Sequence, residues 1–392
     1  MRNNTFILSG ATLYLPHHVI VEGEMVIRQG VIHAIGEKGL AKHFPKAKQW
    51  HFPSTYHVIP GLIDLHIHGA GGHDVMDATP AALAGISTLL PREGTTAFLA
   101  TTMTAPQEKI EQALAAIQMY HSNPSPGARL LGVHLEGPFI SPSKIGAQSA
   151  SALLLPSFEL VKKWQALGEK IIKLITFAPE LPHSKEFIQF LKQEAIIPAL
   201  GHTNATFDET VSAIEAGCHY VTHLFNAMRA IHQREPGPVV AALLSPEVYT
   251  ELIVDGVHLH PAIVNLVFKL KDKNKIILVT DAMRATCLGA GQYELGGQMV
   301  DVKNNVARLA DGTLAGSVLT LSKAVQNMQQ FTGCDLATAV KMGSENPAKL
   351  LNIFQQKGSL EEKKDADVVV LDEKLNVVLT LCEGQIAFYN SK

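Results

Sequence analysis

The sequence predicts an α/β protein, in which a (β/α)8 TIM-like barrel is joined to a small β-sandwich domain built from both termini. Three observations predict this architecture. The chain has 392 residues, which is more than a single compact domain usually holds. Both ends carry short apolar runs with a period of two, which is typical of strands. Between the two ends, eight short apolar runs alternate with longer amphipathic stretches, as in parallel βα units.

The N-terminal part is predicted to be β-structure interrupted by turns. The segments "TFILSGATLYL" and "HHVIVEGEMVIRQGVIHAIG" alternate apolar and polar residues between glycines. The segment "ADVVVLDEKLNVVLTLCEGQIAFYN" near the C-terminus has the same pattern. Neither end is long enough to bury a core alone. We therefore predict one small sandwich from residues 1–56 and 356–392, with a catalytic barrel over residues 57–355.

The barrel is predicted from eight apolar runs in order along the chain. They are residues 60–68, 95–103, 128–137, 170–180, 195–203, 218–226, 249–259 and 275–283. Amphipathic segments of helical length lie between most of them, for example at residues 105–121 and 182–194. Eight βα units in about 300 residues is the usual size of this barrel.

Composition and charge exclude several classes of protein. Hydrophobic residues make up 46% of the chain and charged residues 18%, which indicates a globular protein and not a disordered one. A net charge of −3 favours neither nucleic acid nor an anionic membrane as a partner. The four cysteines form no C-x-x-C pair and are too few for a disulfide framework. With no signal-peptide pattern and no apolar run of ~18–20 residues, we expect a cytoplasmic protein.

Histidines and carboxylates recur where the predicted strands end. They are His66, His68, His134, Glu136, His202, His223, Asp255, His258 and Asp281. The carboxyl ends of barrel strands carry the chemistry of this fold. Side chains at i and i+2 share one face of a strand, so His66 and His68 both point into the barrel mouth. A lone histidine at a strand end is more often structural. Histidines and carboxylates that recur at the carboxyl ends of several strands, however, predict a metal site.

The donor set suits a divalent metal such as Zn, Fe or Ni, and a carboxylate between two groups of histidines can bridge a second ion. Such a metal activates a water molecule for hydrolysis. Asp281 is the carboxylate that ends the eighth run, and it is predicted to carry the proton. The alternative for Asp281 is a helix N-cap.

Several motifs together resemble the amidohydrolase superfamily, and within it the family of N-acetylglucosamine-6-phosphate deacetylases. They are "PGLIDLHIHG", "HLEGPFISP", "LGHTNA", "THLFNAM", "REPG", "DGVHLHP", "TDAM" and "LAGSVLTL". The resemblance runs from about residue 20 to residue 352. It implies hydrolysis of the acetamide of N-acetylglucosamine 6-phosphate to glucosamine 6-phosphate and acetate.

The resemblance also implies roles for individual residues. Glu136, His202 and His223 hold the principal metal, and Asp281 is the catalytic acid and base. The residues implied to bind substrate are Ala147, Gln148, Asn226, Ala227, Arg234, Asp255, His258, Leu314, Ala315 and Gly316. Arg234 is implied to pair with the phosphate, for which a guanidinium fork is suited. In this family that arginine can come from the neighbouring subunit, which implies a homodimer or a higher homo-oligomer.

Two features bear on the number of metals and on the neighbouring loop. Some members of the family lack the strand-1 histidines and use one metal, whereas this chain has both His66 and His68. Some members have a histidine where this chain has Gln148, which can donate a hydrogen bond but cannot carry charge. Related enzymes bridge two metals with a lysine at the tip of strand 4, but "LITFAPE" has none and Lys173 lies near the strand start. This favours the pattern with a glutamate on strand 3.

Other functions stay open at this point. A different amidohydrolase, acting on N-acyl amino acids or on another amino sugar, would share the metal residues. Arg234 with "FNAM" favours a phosphosugar. A non-catalytic barrel would be expected to lose metal ligands, and this chain keeps all six: His66, His68, Glu136, His202, His223 and Asp281.

Overall fold

The barrel is present in the computed structural model, which describes residues 5–390. Eight parallel strands follow one another around it in chain order. They are β1 (Leu62–Ile67), β2 (Thr95–Thr102), β3 (Arg129–Glu136), β4 (Ile172–Phe177), β5 (Ile197–Leu200), β6 (Tyr220–Val221), β7 (Tyr249–Ile253) and β8 (Ile276–Val279). Just beyond β8, the backbone N–H of Asp281 donates to the carbonyl of His66 at 2.8 Å, which closes the ring onto β1. The predicted fold class is confirmed.

The strands of the barrel are buried on both faces, as a parallel sheet covered by helices requires. Every residue of β1, β2 and β8 is buried. This burial explains why the sequence shows continuous apolar runs there and no alternation. Burial of a polar side chain inside the barrel therefore costs free energy unless that side chain is hydrogen-bonded.

Ten α-helices within residues 5–390 cover the barrel. They are α1 (Pro80–Leu89), α2 (Gln107–Ser122), α3 (Phe158–Leu167), α4 (Ser184–Gln193), α5 (Phe207–Glu215), α6 (Gly237–Leu244), α7 (Pro261–Leu270), α8 (Leu321–Thr332), α9 (Leu336–Gly343) and α10 (Glu345–Leu350). Short 3-10 helices lie at Leu40–His43, Val75–Asp77, Leu90–Glu93, Ala150–Ala152 and Lys273–Lys275. At the start of α5, Thr206 and Glu209 form a capping box, which fixes the turn that leads from β5 into the helix. No helix within residues 5–390 is both long enough and apolar enough to cross a membrane.

Two further sheets pack as a small β-structure beside the barrel. A four-stranded sheet has the order Val31–Gly36, Glu24–Arg28, Phe6–Ser9, Lys48–His51. A six-stranded sheet has the order Gln385–Tyr389, Val377–Cys382, Val368–Leu371, His57–Pro60, Thr12–Tyr14, Val19–Ile20. The second sheet combines strands from both ends of the chain, and side chains of both sheets share one apolar core.

The predicted domain boundaries remain a prediction, because the chain runs directly from this sheet into the barrel. Strand His57–Pro60 lies just after the predicted boundary at residue 56, yet it pairs with Val368–Leu371 in the six-stranded sheet. One residue, Gly61, separates it from β1. A side chain at Gly61 would meet the Thr96 hydroxyl at 2.1 Å, so the close approach to β2 requires glycine there.

A β-insertion after β8 was not predicted from the sequence. It consists of the antiparallel strands Gly291–Leu295, Gln298–Lys303 and Val306–Arg308. Arg284 holds it to the barrel, since one guanidinium nitrogen lies 2.9 Å from Asp77 and 2.8 Å from Glu294. A two-stranded ribbon, Gly69–Ala70 with His73–Asp74, lies after β1. The insertion contributes Leu295 to the wall of the cavity at the mouth of the barrel.

Candidate active site

A cavity of about 260 Å³ opens at the carboxyl ends of the barrel strands. This volume suits one small polar metabolite. Five of the six residues predicted to bind metal or carry the proton line the cavity: His68, Glu136, His202, His223 and Asp281. His66 lies behind them and is fully buried. The structure thus brings together side chains from β1, β3 and the ends of β5, β6 and β8.

Glu136, the last residue of β3, lies at the centre of the cluster. Its Oε1 is 3.1 Å from His202 Nε2 and 3.0 Å from His223 Nε2. The two imidazole nitrogens are themselves 3.1 Å apart. The single ligand atoms of these three residues all lie within 4.8 Å of one another, which is the arrangement that a cation between them requires.

A second group of possible ligands adjoins the first and shares Glu136 as a neighbour. His66 Nε2 is 3.4 Å from Glu136 Oε1 and 3.5 Å from Asp281 Oδ1. His68 Nε2 is 3.3 Å from Glu136 Oε2 and 3.2 Å from Asp281 Oδ1. His66, His68 and Asp281 form a second set with ligand atoms within 4.8 Å. The two carboxylate oxygens of Glu136 therefore face both sets, as a bridging ligand would.

The hydrogen bonds behind the imidazoles indicate that the cluster fits a divalent cation. His66 Nδ1 faces Glu251 at 3.1 Å, His68 Nδ1 faces the carbonyl of Thr101 at 3.2 Å, and His202 Nδ1 faces the carbonyl of Lys144 at 2.9 Å. Each partner is an acceptor, so each Nδ1 carries a hydrogen and each neutral imidazole presents a lone pair at Nε2. Lone pairs then face carboxylate oxygens, which is repulsive unless positive charge lies between them. His66 Nε2 and His223 Nδ1 are also buried without a hydrogen-bond partner among the described residues.

The pKa values of His68 and Asp281 also indicate that the cluster favours positive charge. Burial alone would lower the pKa of His68, but its contacts with Asp281 and Glu136 raise it to about 9. Burial would raise the pKa of Asp281, yet the neighbouring His66 and His68 lower it to about 2. Asp281 is therefore ionised and ready to accept a proton.

Three of the cluster residues sit on strained backbone. His202, His223 and Asp281 have φ values of 45°, 29° and 49°, in the left-handed region that these residues rarely adopt. Each lies two residues beyond the end of its strand, after Leu200, Val221 and Val279. The turn aims each side chain into the cavity. Such strain persists where the surrounding structure holds it and is common at functional sites. Because this turn places Asp281, Asp281 is not the N-cap of a helix here.

Seven of the residues predicted to bind substrate line the cavity. They are Ala147, Gln148, Asn226, Ala227, His258, Leu314 and Gly316. Gln148 has a more specific position than the sequence indicated. Its amide nitrogen donates to Glu136 Oε2 at 2.7 Å, and its amide oxygen accepts from the backbone N–H of Thr104 at 2.7 Å. Gln148 therefore orients the central carboxylate.

The other three predicted substrate residues do not line this cavity. Asp255 lies behind His258 and accepts a hydrogen bond from His258 Nδ1 at 2.6 Å, which leaves His258 Nε2 for the cavity. Ala315 is fully buried, and its N–H donates to the carbonyl of Ala307. Arg234 is exposed in the loop before α6, and its guanidinium forms no ion pair with the described residues. Their part in substrate binding stays a prediction.

Sequence reasoning missed several residues around the site. Glu251 and Tyr220 are fully buried inside the barrel, next to His66. A glutamate in the apolar run "YTELIV" was the available signal for this network. Met103 and Leu295 form an apolar wall of the cavity, and neither carries a motif. His134, one of the strand-end histidines, is bonded to Thr176 Oγ1 at 2.7 Å and to the carbonyl of Leu65, so its position is structural.

Comparison with known proteins indicates one family for this chain. Residues 57–387 match the model of the Amidohydrolase family. The chain is 41% identical over 391 residues to an N-acetylglucosamine-6-phosphate deacetylase of Bacillus subtilis (strain 168), covering 99% of this chain and 98% of that protein. It is 39% identical over 332 residues to an N-acetylgalactosamine-6-phosphate deacetylase of Escherichia coli O157:H7, covering 84% and 87%.

A solved structure agrees with these sequence relatives. It is a mutant of N-acetyl-D-glucosamine-6-phosphate deacetylase from Mycobacterium smegmatis in complex with N-acetyl-D-glucosamine-6-phosphate. The two chains are 31% identical, superpose with a TM-score of 0.92, and overlap over 98% of this chain and 100% of that one.

Proposed function

The chain belongs to the amidohydrolase family, and we propose that it hydrolyses the acetamide of N-acetyl-D-glucosamine 6-phosphate to D-glucosamine 6-phosphate and acetate. One observation carries the proposal: a buried cluster of Glu136, His202 and His223 adjoins Asp281 in a cavity of about 260 Å³. The relatives named for this reaction add support, because the similarity extends over almost the whole chain. The reaction belongs to the breakdown or recycling of amino sugars.

The proposed cofactor is a divalent cation such as Zn or Fe, one or two per subunit. Glu136, His202 and His223 would hold the principal ion, and His66 and His68 would hold a second one, with Glu136 between them. A divalent cation in this position polarises an amide carbonyl and lowers the pKa of a water molecule. This matters because an acetamide is a poor electrophile with a poor leaving group.

Asp281 is the proposed general base and acid. Its carboxylate is ionised and lies 3.2 Å from His68 Nε2, at the edge of the cavity. It would accept the proton of the attacking water and then donate it to the amine that leaves at C2 of the sugar. His258, whose Nδ1 donates to Asp255, would present Nε2 to the bound sugar phosphate, where a neutral ring accepts a hydrogen bond from a sugar hydroxyl and a protonated ring donates one.

The cavity wall offers polar and backbone groups for the sugar. Asn226 and Ala227 lie in the turn after β6, next to His223. Ala147, Leu314 and Gly316 line the same cavity. Gly316 has a φ of 61°, and a side chain there would approach the Asp281 carbonyl at 3.1 Å. The glycine therefore lets this loop lie directly against the catalytic residue.

Arg234 is the proposed partner of the phosphate. Since it is exposed and lies outside the cavity of its own chain, we assign it to the site of a neighbouring subunit in a homodimer or higher homo-oligomer. A guanidinium binds phosphate through two parallel hydrogen bonds, which explains how a protein of net charge −3 selects an anion. The four cysteines are unpaired, which supports a reducing compartment such as the cytoplasm.

The direct test is an acetate-release assay on N-acetylglucosamine 6-phosphate beside the unphosphorylated sugar, with and without a chelator. We expect much faster release from the phosphorylated sugar than from the unphosphorylated one, loss of turnover when the metal is removed, and recovery when Zn²⁺ or Fe²⁺ is returned. Turnover that resists complete metal removal would contradict the proposed chemistry. Equal rates on both sugars would contradict the role of the phosphate.

N-acetylgalactosamine 6-phosphate is a second candidate substrate. It is supported by the Escherichia coli relative, which is named for that sugar and is 39% identical to this chain. The two sugars differ only in the orientation of one hydroxyl, at C4. Comparing kcat/KM for both in the same assay ranks them.

A further inference from the structure

Glu251 lies beneath the metal-binding cluster and has no part in the function proposed above. It is on β7, is fully buried, and does not line the cavity. It therefore cannot touch a substrate there. A buried carboxylate is costly unless its oxygens are satisfied, so its contacts are informative.

Both oxygens of Glu251 accept hydrogen bonds. Oε2 accepts from His66 Nδ1 at 3.1 Å and from the backbone N–H of His223 at 2.9 Å. Oε1 accepts from the hydroxyl of Tyr220 at 2.5 Å. One oxygen thus contacts a side chain of one possible metal set and the backbone of the other.

The contact with His66 fixes both the orientation and the tautomer of that ring. With its hydrogen on Nδ1, His66 presents the lone pair of Nε2 to the space between Glu136 Oε1 and Asp281 Oδ1, at 3.4 and 3.5 Å. Nε2 is also buried and has no hydrogen-bond partner within the described part of the chain. A carboxylate behind an imidazole makes that imidazole a stronger ligand.

The other three histidines of the cluster are held differently. Neutral backbone carbonyls, of Thr101 and Lys144, lie behind His68 and His202. His223 Nδ1 has no partner among residues 5–390. His66 is thus the one member of the four with a carboxylate behind it.

We propose that Glu251 is a positioning residue that prepares His66 to bind the second divalent cation. This inference rests on the metal centre proposed above. The alternative is that Glu251 only accepts hydrogen bonds from the Tyr220 hydroxyl and the backbone after β6, and has no effect on metal affinity.

Metal retention separates these two possibilities. The Glu251→Gln variant keeps an oxygen that can accept from His66 and from the His223 N–H, but it removes the charge. Wild-type holoenzyme and variant are equilibrated with increasing concentrations of a chelator, and the zinc that remains is counted per subunit. We expect two equivalents in the wild type. In Glu251→Gln the second should be lost at a roughly 10- to 100-fold lower chelator concentration, as for other partners behind a metal ligand.

Tyr220→Phe is the matched control, since it removes one hydrogen bond from Glu251 and leaves the contact with His66. It should retain zinc as the wild type does, and the thermal midpoint of each variant reports folding. A single zinc equivalent in the wild type would overturn the proposal. So would equal retention in Glu251→Gln and wild type, or loss of both equivalents together.

A second measurement tests whether Glu251 acts on the same ion as His66. His66→Asn should hold one equivalent, and adding Glu251→Gln to it should not weaken that equivalent further, because the two residues act on the same ion. Further weakening would mean that Glu251 acts through His223 and would overturn the proposal. Acetate release by the wild type is measured in parallel, so a failure of the proposed reaction is distinguished from a failure of this inference.

Discussion

At the scale of single residues, the candidate site is defined by which hydrogen-bond acceptors face each other. His68 and His202 each use Nδ1 to donate to a backbone carbonyl, so their Nε2 lone pairs meet the carboxylate of Glu136. No placement of the single hydrogen on each neutral ring removes the repulsion between these lone pairs and the acceptor oxygens. The geometry is therefore one that a cation completes, which is a stronger argument than the presence of six ligating residue types.

Asp281 offers the first prediction at this scale. Asp281→Asn keeps the shape of the side chain and removes the base, so turnover should fall about 100- to 10,000-fold, the usual contribution of general acid–base catalysis. The thermal midpoint should stay near that of the wild type. Asp301→Asn, on the outer part of the β-insertion, removes an exposed carboxylate and should keep full turnover. Substantial turnover in Asp281→Asn would remove this residue from the mechanism.

The strand-1 histidines lead to a second prediction. Replacing both His66 and His68 by Asn removes two ligands of the second set and none of the set formed by Glu136, His202 and His223. Elemental analysis should show one divalent equivalent per subunit in this variant and two in the wild type. His219→Asn serves as the control, because His219 is exposed and belongs to neither set of ligands, and it should keep two. Equal metal content in the wild type and the double variant would exclude His66 and His68 as ligands.

At this scale the sequence was informative where one residue type has a restricted chemistry. Histidine and carboxylate at strand ends could be identified without the structure. Gln148 could not be assigned in this way, because an amide at that position reads equally as a substrate contact or as a partner of Glu136. Only the 2.7 Å contact with Glu136 distinguishes these roles.

At the scale of secondary-structure elements, the same turn recurs at the ends of three strands. His202, His223 and Asp281 each follow the last strand residue by two positions, with positive φ. The apolar runs predicted the strands but not this turn, since histidine and aspartate adopt a positive φ too seldom for the residue type alone to indicate it. The β-insertion was missed for a related reason. Its short strands alternate apolar and polar residues like those of the two termini. They lie inside the part of the sequence assigned to the barrel, where a helix was expected.

Lys271 provides a prediction about one of these elements. It is buried at the end of α7, and its ammonium group donates to the carbonyls of Ala242 and Ser245, at the C-terminus of α6. That helix follows the loop that carries Arg234. Lys271→Met would remove the ammonium donor from both carbonyls, although Ser245 keeps the N–H of Val248 as a partner, so the free energy of unfolding at pH 7 should fall by about 1.5–3 kcal/mol. Denaturant titration measures it, with the exposed Lys109→Met as control.

The stabilising effect of Lys271 should also depend on pH. Burial lowers the pKa of Lys271 to about 8, whereas its ordinary value is 10.5. Between these values the unfolded chain binds more protons at this residue than the folded chain, so the contribution of Lys271 to stability rises with pH. The stability difference between wild type and Lys271→Met should therefore widen from pH 8 to pH 10.5. A difference that narrows over this range would contradict the assignment.

At the scale of the whole molecule, the two ends of the chain were correctly predicted to build β-structure together with a (β/α)8 barrel. The period-two pattern at both ends and the eight apolar runs were sufficient for this. The ion pairs beside the C-terminal strands of that β-structure were not predictable, because their residues lie far from any motif. Lys357 is buried and lies 2.8 Å from both Asp365 and Asp367, just before strand Val368–Leu371. Lysine and aspartate in this part of the sequence would ordinarily be read as a solvated loop.

Arg234 makes the assembly of whole molecules testable. Arg234 is exposed and outside the cavity of its own chain, whereas Asp281 lies inside it. Arg234→Ala should reduce kcat/KM for the phosphorylated sugar and leave the low rate on the unphosphorylated sugar unchanged. Arg92→Ala, an exposed arginine in the segment between α1 and β2, is the control and should behave as the wild type.

Co-expression of Arg234→Ala chains with Asp281→Asn chains then decides which subunit supplies the arginine. If Arg234 serves the neighbouring site, one site in each mixed dimer receives Asp281 from one chain and an intact Arg234 from the other. Random pairing would restore about a quarter of all sites in a symmetric dimer. If Arg234 serves its own site, every site lacks one of the two groups and no activity returns. Purified mixed dimers without acetate release would therefore refute the shared site, because only exchange between subunits can restore activity in this pair.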